Sequence, residues 1–344
     1  MKLFIFLALL PTLVFANSCD YKNLITASDS PFDKIPVYDQ DGANICYAFT
    51  AAQLLDYELI KDGLSSRSIH PAWVALKDAA NINKSEISFG SSRRAIEALM
   101  NDSNCHYDLV AKQLGVWAYK ANVKEAELLR FLENFTNQYK KTGSFQVAFQ
   151  NGLKTTADWC PPHATFKNLI PELENLAVFA TTPILTKLLM PKCEEFKTKL
   201  PLRKPHMVNN EGPNFSKNIL KHLDQKNSPV EVSYCANFWQ EPSYQGRLSS
   251  STLDLKSDCF MHSSLVVGKR MMNNSCQVLI RNTWGNGWNK TNEKWNCVCK
   301  HKSTGKFEDN CSYSTHNNGQ YSVEACWVGE DLLNNNSHSS VILK

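Results

Sequence analysis

The sequence has little imbalance of charge, because 37 Lys and Arg residues oppose 33 Asp and Glu residues, for a formal net charge of +4 at pH 7. Proteins that bind nucleic acid or anionic membrane surfaces carry clustered positive charge, so this balance argues against both kinds of partner. Repeats of fixed period and long low-complexity tracts are also missing, which excludes solenoids and collagen-like folds. Beyond the N-terminus no apolar run approaches the roughly 20 residues that span a bilayer, so we expect no membrane span in the mature chain.

The 344 residues contain enough apolar material for a sizeable core, since 43% of them are hydrophobic. One large domain or two modest domains fit this length. The chain begins Met1-Lys2 and continues as an apolar run from Leu3 to Phe15. This pattern is typical of a secretory signal peptide, residues 1–16, and predicts cleavage near Ala16 followed by export to the periplasm or the extracellular space. A non-cleaved anchor is the alternative.

The 12 cysteines fit an exported protein, because an oxidising compartment favours disulfide bonds. If one cysteine is a nucleophile, eleven remain, so at least one more is free, bonded to another chain or buried as a small apolar residue. Residues 289–344 are predicted to form a Cys-rich C-terminal extension. A zinc site is the alternative for its cluster Cys297, Cys299, His301, Cys311 and Cys326. Because the paired C-x-x-C spacing of zinc sites is absent, we predict disulfides and no metal.

Helical periodicity dominates the first two thirds of the chain, and short apolar runs dominate the rest. A buried helix is predicted to begin at Cys46 and to end near Gly63. Further helices are predicted at 93–100, 123–139 and 170–189, the last interrupted by Pro183, and strands at 230–234, 263–268 and 277–280. The turn residues at 272–275 predict a β-hairpin. The predicted fold class is therefore α+β, with a helical half followed by a sheet-rich half.

Four polar residues have the chemistry of a nucleophilic site. Cys46 lies at a helix N-terminus, where the helix dipole is expected to lower the pKa of a thiol. His262, at the start of a predicted strand, can act as the base, and Asn282, across the predicted hairpin, can orient its imidazole. Gln40 can offer its side-chain amide to an oxyanion beside the Cys46 N–H. Each residue alone is more often structural, so the prediction depends on their combination.

The order Gln40, Cys46, His262 and Asn282, together with the run Asn-Thr-Trp-Gly-Asn-Gly-Trp from Asn282 to Trp288, resembles the papain-like cysteine peptidases. The resemblance covers about half of the chain and implies a papain-like two-domain fold, with the active cleft between a helical left half and a β-barrel-like right half. It implies that Cys46 is the nucleophile, His262 the acid and base, Asn282 the orienting residue and Gln40 the oxyanion donor. No cofactor is implied.

The same resemblance implies roles for three further residues. Trp284 would shield the bond between His262 and Asn282 from water, and Gly90 would pair with the substrate main chain. Met261 would border the pocket for the second substrate residue before the cut. Because the residues just before His262 include no carboxylate, we expect this pocket to prefer apolar side chains to Arg or Lys. Two residues depart from the family pattern, namely Ala43 in place of a disulfide cysteine and Tyr47 in place of the commoner tryptophan.

The expected activity is that of an exported thiol protease that acts as a monomer on protein or peptide substrates, within a peptidase domain at 17–344. Cys46 and His262 are 216 residues apart, more than the resemblance to compact family members implies, so we predict residues 101–214 to be an insertion, either a lid over the cleft or a helical elaboration. Only 29 residues separate the expected signal cleavage from Cys46, which leaves no room for an N-terminal pro-segment. Two alternatives remain: an inactive binding protein on the same fold, and a thiol amidase or transpeptidase acting on non-protein amides.

Overall fold

The computed structural model describes residues 19–40, 43–64, 66–82, 87–101, 104–156, 164–177, 184–195, 197–209, 214–239, 259–285, 295–311 and 320–344. The predicted signal peptide, Pro183, Cys160 and Trp288 lie outside these residues. Within them, no helix is both long enough and apolar enough to cross a membrane.

The helices of the described residues fall mainly in the first two thirds of the chain, as predicted. They are α1 Cys46–Lys61, α2 Pro71–Asn81, α3 Ser92–Met100, α4 Tyr107–Ala121, α5 Glu125–Thr142, α6 Phe145–Thr156, α7 Ile170–Ala177, α8 Ile184–Glu195, α9 Asn214–Lys226 and α10 Glu330–Asn336. Helix α1 begins at Cys46, and Gly63 follows its end with φ 109°, a left-handed conformation that glycine adopts without strain. The predicted start and stop of this helix are therefore confirmed.

Helices α4 to α8 occupy the region predicted as an insertion. Aromatic side chains of α5 and α6 form one packed group with Phe166, in which Phe131 stacks on Phe166 with ring centroids 4.1 Å apart and contacts Phe149 edge-on. The disulfide between Cys105 and Cys193 joins the start of this region to α8. These helices share a continuous apolar core with α1, α2 and α3, and we call all eight helices the helical half.

The strands of the described residues are antiparallel, and nine of them form one sheet. They are β1 Lys22–Asn23, β2 Asn104–Cys105, β3 Lys197–Thr198, β4 Pro205–Asn209, β5 Val230–Cys235, β6 Met261–Met272, β7 Ser275–Arg281, β8 Cys297–His301, β9 Phe307–Cys311, β10 Tyr321–Gly329 and β11 Ser337–Leu343. The sheet order is β4-β11-β5-β6-β7-β10-β8-β9, with β1 against β6, while β2 pairs with β3 separately. The predicted extension thus supplies β8 to β11.

The hairpin predicted at 272–275 joins β6 to β7. Asn273 and Asn274 both have positive φ angles, 51° and 60°, which match the right-handed twist of a two-residue hairpin turn. One face of the sheet packs against the helical half, and the other encloses a second core with α9 and α10. We call the nine strands with these two helices the sheet half. The α+β class and the division into two halves are confirmed.

Five disulfide bonds join ten of the described cysteines. The pairs are Cys19–Cys276, Cys105–Cys193, Cys235–Cys259, Cys297–Cys326 and Cys299–Cys311. All four cysteines of the alternative zinc site are in these bonds, so they present no thiolates to a metal and that alternative is wrong. This number of disulfides fits a protein that folds in an oxidising compartment.

The guanidinium of Arg281 links the two halves. It is fully buried at the end of β7 and donates to Glu324 Oε2 at 2.6 Å, to Gln53 Oε1 of α1 at 2.9 Å and to the carbonyl oxygen of Ile35 at 2.7 Å. Its planar group also lies 4.7 Å from the ring centre of Phe32. One side chain therefore connects the sheet, the central helix and the N-terminal segment.

Replacing Arg281 with methionine should lower the free energy of unfolding by about 3–5 kcal/mol, because Glu324 is then left buried without a counter-charge. Chemical denaturation followed by circular dichroism measures the loss. The matched control is Arg93→Met, which removes the exposed pair that Arg93 makes with Glu97 in α3 and should cost less than about 1 kcal/mol. Equal losses in the two variants would contradict the central role of Arg281.

Candidate active site

The N-terminus of α1 presents Cys46 to a cleft between the two halves. Cys46 is the one described cysteine outside a disulfide, and the residue is half-buried. The N-cap residue Ile45 offers no side-chain acceptor to the first turn. The Cys46 backbone N–H therefore has no side-chain cap and can serve a negatively charged group in the cleft.

Strands β6 and β7 bring His262 and Asn282 together, as the hairpin predicted. Asn282 Oδ1 accepts hydrogen bonds from the Thr283 backbone N–H at 2.7 Å and from His262 Nε2 at 2.5 Å. The amide orientation follows from the Thr283 bond, because a backbone N–H can only donate. Nε2 of His262 thus carries the proton, and Nδ1 is the unprotonated nitrogen. Nδ1 has no hydrogen-bond partner among the described residues.

Backbone pairing places Gln40 and Trp284 beside this histidine. The Gln40 N–H donates to the Thr283 carbonyl at 2.8 Å, and the Gly285 N–H donates to the Tyr38 carbonyl at 2.8 Å. Gln40 Oε1 accepts from the Thr283 hydroxyl at 2.6 Å, so the group that Gln40 can offer to the cleft is its NH₂ donor. The Trp284 ring covers His262, with ring centroids 4.7 Å apart.

A cavity of about 480 Å³ occupies the cleft. The described residues lining it are Gln40, Asn44, Cys46, Tyr47, Phe89, Gly90, Ser233, Cys259, Phe260, Met261, His262 and Ser263. Five of the seven predicted site residues are among them, and the other two, Asn282 and Trp284, contact His262 instead. None of the described residues of 101–214 lines this cavity.

Burial governs the charge state of the cysteine and the histidine. It raises the pKa of the Cys46 thiol to about 11, and the nearby carboxylate of Glu231 adds to the increase. Burial also lowers the pKa of His262 to about 4. The hydrogen bond to Asn282 raises this pKa, but its effect is smaller than that of burial. Near neutral pH both groups are therefore uncharged. The expected lowering of the thiol pKa by the helix N-terminus is outweighed by the loss of water around the sulfur.

Sequence reasoning missed several residues of the cavity. Phe89 is 75% exposed at its edge and has a φ of 55°, an unusual conformation for an aromatic residue. Ser233 and Ser263 lie on neighbouring strands, with Glu231 buried beneath them. The alternation of polar and apolar residues in β5 was the one signal that could have found Glu231 and Ser233.

One group of described residues has the geometry to approach a metal ion. The side-chain ligand atoms of Cys235, Cys259 and His338 lie within 4.8 Å of one another at the edge of the cleft. The two sulfur atoms are joined to each other as a disulfide, so they are not metal ligands in this form.

The Gly90 backbone lies so close to α1 that a side chain does not fit. A Cβ atom there would be 2.1 Å from Cζ of Tyr47 and 2.3 Å from an Asp78 carboxylate oxygen. We expect Gly90→Ala to destabilise the protein by about 1–3 kcal/mol, because Tyr47 must move. Gly115→Ala is the matched control, since α4 has open space at that position and the change should stabilise by up to about 1 kcal/mol. Thermal unfolding of both variants tests this, and a neutral Gly90→Ala would contradict the close approach.

No protein-family model matches the chain, and no curated protein sequence matches it significantly. Solved structures are similar to it. Xylellain, a cysteine protease from Xylella fastidiosa, is 17% identical, with 90% of each chain covered and a TM-score of 0.40. The bromelain protease from Ananas comosus is 11% identical, with 94% of this chain and 98% of that chain covered and a TM-score of 0.41. A procathepsin B from Trypanosoma congolense is 10% identical, with 94% and 77% covered and a TM-score of 0.45. Xylellain is a cysteine protease, the class that the sequence motifs resemble, and a likeness at these identities and TM-scores says nothing of activity.

Proposed function

We propose that this chain is a papain-like cysteine peptidase that hydrolyses peptide bonds. The observation that carries the proposal is the placement of Cys46, His262 and Gln40 around one cavity, with Nδ1 of His262 unprotonated and free to accept a proton. A nucleophile, a base with an orienting partner and an oxyanion donor are the elements that acyl transfer requires.

In the proposed mechanism Nδ1 of His262 takes the thiol proton as Cys46 Sγ attacks the scissile carbonyl carbon. Because both groups rest neutral, the proton moves from Sγ to Nδ1 as the bond between Sγ and the carbonyl carbon forms, and the charge appears on the imidazolium and on the oxyanion. The Gln40 NH₂ and the Cys46 N–H donate hydrogen bonds to the oxyanion of the tetrahedral intermediate. The imidazolium protonates the departing amine, and His262 afterwards activates the water that hydrolyses the thioester.

Asn282 and Trp284 act on the histidine in this proposal. The carbonyl oxygen of Asn282 holds the Nε2 proton and so keeps Nδ1 available to the thiol. Trp284 covers the imidazole and limits the access of water. Gly90 would pair through its backbone with the substrate main chain, because it lines the same cavity as Cys46 and His262.

We also propose that the chain is exported from the cytoplasm. The five disulfides support export, and with it the use of residues 1–16 as a signal peptide and of 17–344 as the mature peptidase domain. The helices α4 to α8 would then be the insertion at 101–214. Because none of their described residues lines the cavity, a helical elaboration is favoured over a lid.

Replacing Cys46 with alanine should abolish cleavage of a fluorogenic peptide library while leaving the circular dichroism spectrum unchanged. His262→Ala should lower kcat/KM by at least about a thousandfold, because no other histidine among the described residues lines the cavity with Cys46. The matched control is His206→Ala, an exposed histidine of β4 that should keep wild-type activity. If ordinary peptides are not cut but the thiol is labelled, an amidase or a binding protein replaces the peptidase proposal.

The rate at which iodoacetamide alkylates Cys46 should rise with pH without a plateau between pH 5 and pH 8. A thiol with a pKa of about 11 is protonated below that pH, so its reactive thiolate increases about tenfold per pH unit. His262, with a pKa of about 4, is neutral over this range and provides no cation to hold a thiolate. Mass spectrometry of the labelled protein measures the rate. A pH-independent rate from pH 5 to pH 8 would instead indicate a resting thiolate–imidazolium pair.

A further inference from the structure

Strand β5 carries polar side chains on the face that looks toward the helical half. Its apolar residues Val230, Val232 and Tyr234 belong to the core between the sheet and α9 and α10. Successive side chains of a strand point to opposite faces, so Glu231 and Ser233 point away from that core, toward α1 and α3. The antiparallel register places Ser263 of β6 directly opposite Ser233.

Glu231 is only 1% exposed and has three hydroxyl donors on one oxygen. Its Oε1 accepts from Ser263 at 2.6 Å, from Ser233 at 2.8 Å and from Ser92 at 3.2 Å. Its Oε2 is buried and has no partner at hydrogen-bond geometry among the described residues. No described Lys, Arg or His forms an ion pair with it. A buried carboxylate without a counter-charge is costly to keep.

Two of these serines lie between the cavity and the carboxyl group of Glu231. Ser233 and Ser263 line the cavity together with Cys46, Met261 and His262. A hydroxyl that donates its proton to Glu231 keeps its lone pairs for a donor in the cavity. We call Glu231, Ser233 and Ser263 the serine pocket. It offers hydrogen-bond acceptors to the cavity, backed by the buried carboxyl group of Glu231.

We propose that the serine pocket binds a positively charged substrate side chain, that of Lys or Arg, and that Glu231 is the residue that sets this preference. The aliphatic part of the substrate side chain would contact Met261, and its cationic end would donate to the Ser233 and Ser263 hydroxyl oxygens. The bound cation supplies the counter-charge that the described residues do not supply. This inference rests on the proposed peptidase function, and it replaces the apolar preference expected from the residues just before His262.

The serine pocket favours a cationic substrate side chain over both a neutral and an anionic one. A neutral apolar side chain would leave the serine oxygens without donors, which a hydrogen-bonding site penalises strongly. A glutamate side chain would face the like charge of Glu231 across one hydroxyl layer. Burial raises the pKa of Glu231, and the hydroxyls of Ser263, Ser233 and Ser92 oppose that shift by stabilising the charged form.

The test compares aminomethylcoumarin dipeptides that carry lysine, norleucine or glutamate as the second residue before the cleaved bond and glycine as the first. We expect wild-type protein to favour lysine over norleucine by about tenfold in kcat/KM, with glutamate the poorest. Glu231→Gln keeps the shape of the side chain and removes its charge, so it should reduce the ratio to about twofold or less. Ser233→Ala removes one acceptor and should also reduce the ratio.

Asp56→Asn is the matched control for the loss of a buried carboxylate. Asp56 of α1 is fully buried and caps the Ser68 and Ile69 N–H groups, and it does not line the cavity. This variant should keep the wild-type preference for lysine. A lysine to norleucine ratio near one in the wild type, or a ratio that Glu231→Gln leaves unchanged, overturns the inference while the peptidase proposal stands.

Binding is measured separately from turnover with Cys46→Ala protein and fluorescein-labelled forms of the same three peptides. We expect the lysine peptide to have a Kd about tenfold lower than the norleucine peptide, and Glu231→Gln in this background to remove the difference. If wild-type protein cuts no peptide but this preference is found, the peptidase proposal fails and the inference on the serine pocket holds. If none of the three peptides binds, the inference fails.

Discussion

The relation between the two halves depends on one buried cation, the guanidinium of Arg281. Its five N–H donors suit a site where carboxylate, amide and carbonyl oxygens converge from three directions, and here they come from Glu324, Gln53 and Ile35. A lysine would offer a single nitrogen in place of this planar fork. Because Asn282 follows Arg281 in the chain, the same anchor holds the end of β7 where the amide meets His262. Stability and site geometry therefore share one residue.

The second constraint on the site is the burial of its ionisable side chains between the two halves. Closing the helical half on the sheet removes water from Cys46, His262 and Glu231, and every one of their pKa values shifts toward the uncharged form. In the resting site the thiol and the imidazole are therefore both neutral. The charge that develops during the proposed reaction must be stabilised by groups that are already in place. The Gln40 amide and the helix N-terminus are such groups, since they need no reorganisation when charge develops.

Much of this arrangement follows from local pattern and was predictable. Helix α1 begins at Cys46 because apolar residues recur at helical spacing up to Gly63, and the hairpin between β6 and β7 forms because two asparagines tolerate the turn's positive φ angles. That hairpin is also why His262 and Asn282 could be paired from the sequence. Phe89 could not be predicted in the same way. Its left-handed conformation follows from its bond to the Asn44 carbonyl and from the close approach of Gly90 to Tyr47.

By itself the sequence determined the α+β class, the start of α1 and the hairpin, because each depends on residue types at short spacing. It also predicted the candidate residues Gln40, Cys46, His262 and Asn282, through their order and the motif that begins at Asn282. Only the tertiary structure decided the five disulfide pairings, the cavity that Glu231 underlies and the direction of the pKa shifts. The physical reason is distance along the chain. Cys19 meets Cys276, and Ser92 meets Glu231, across separations of 257 and 139 residues, and burial at such contacts is a property of the packed whole.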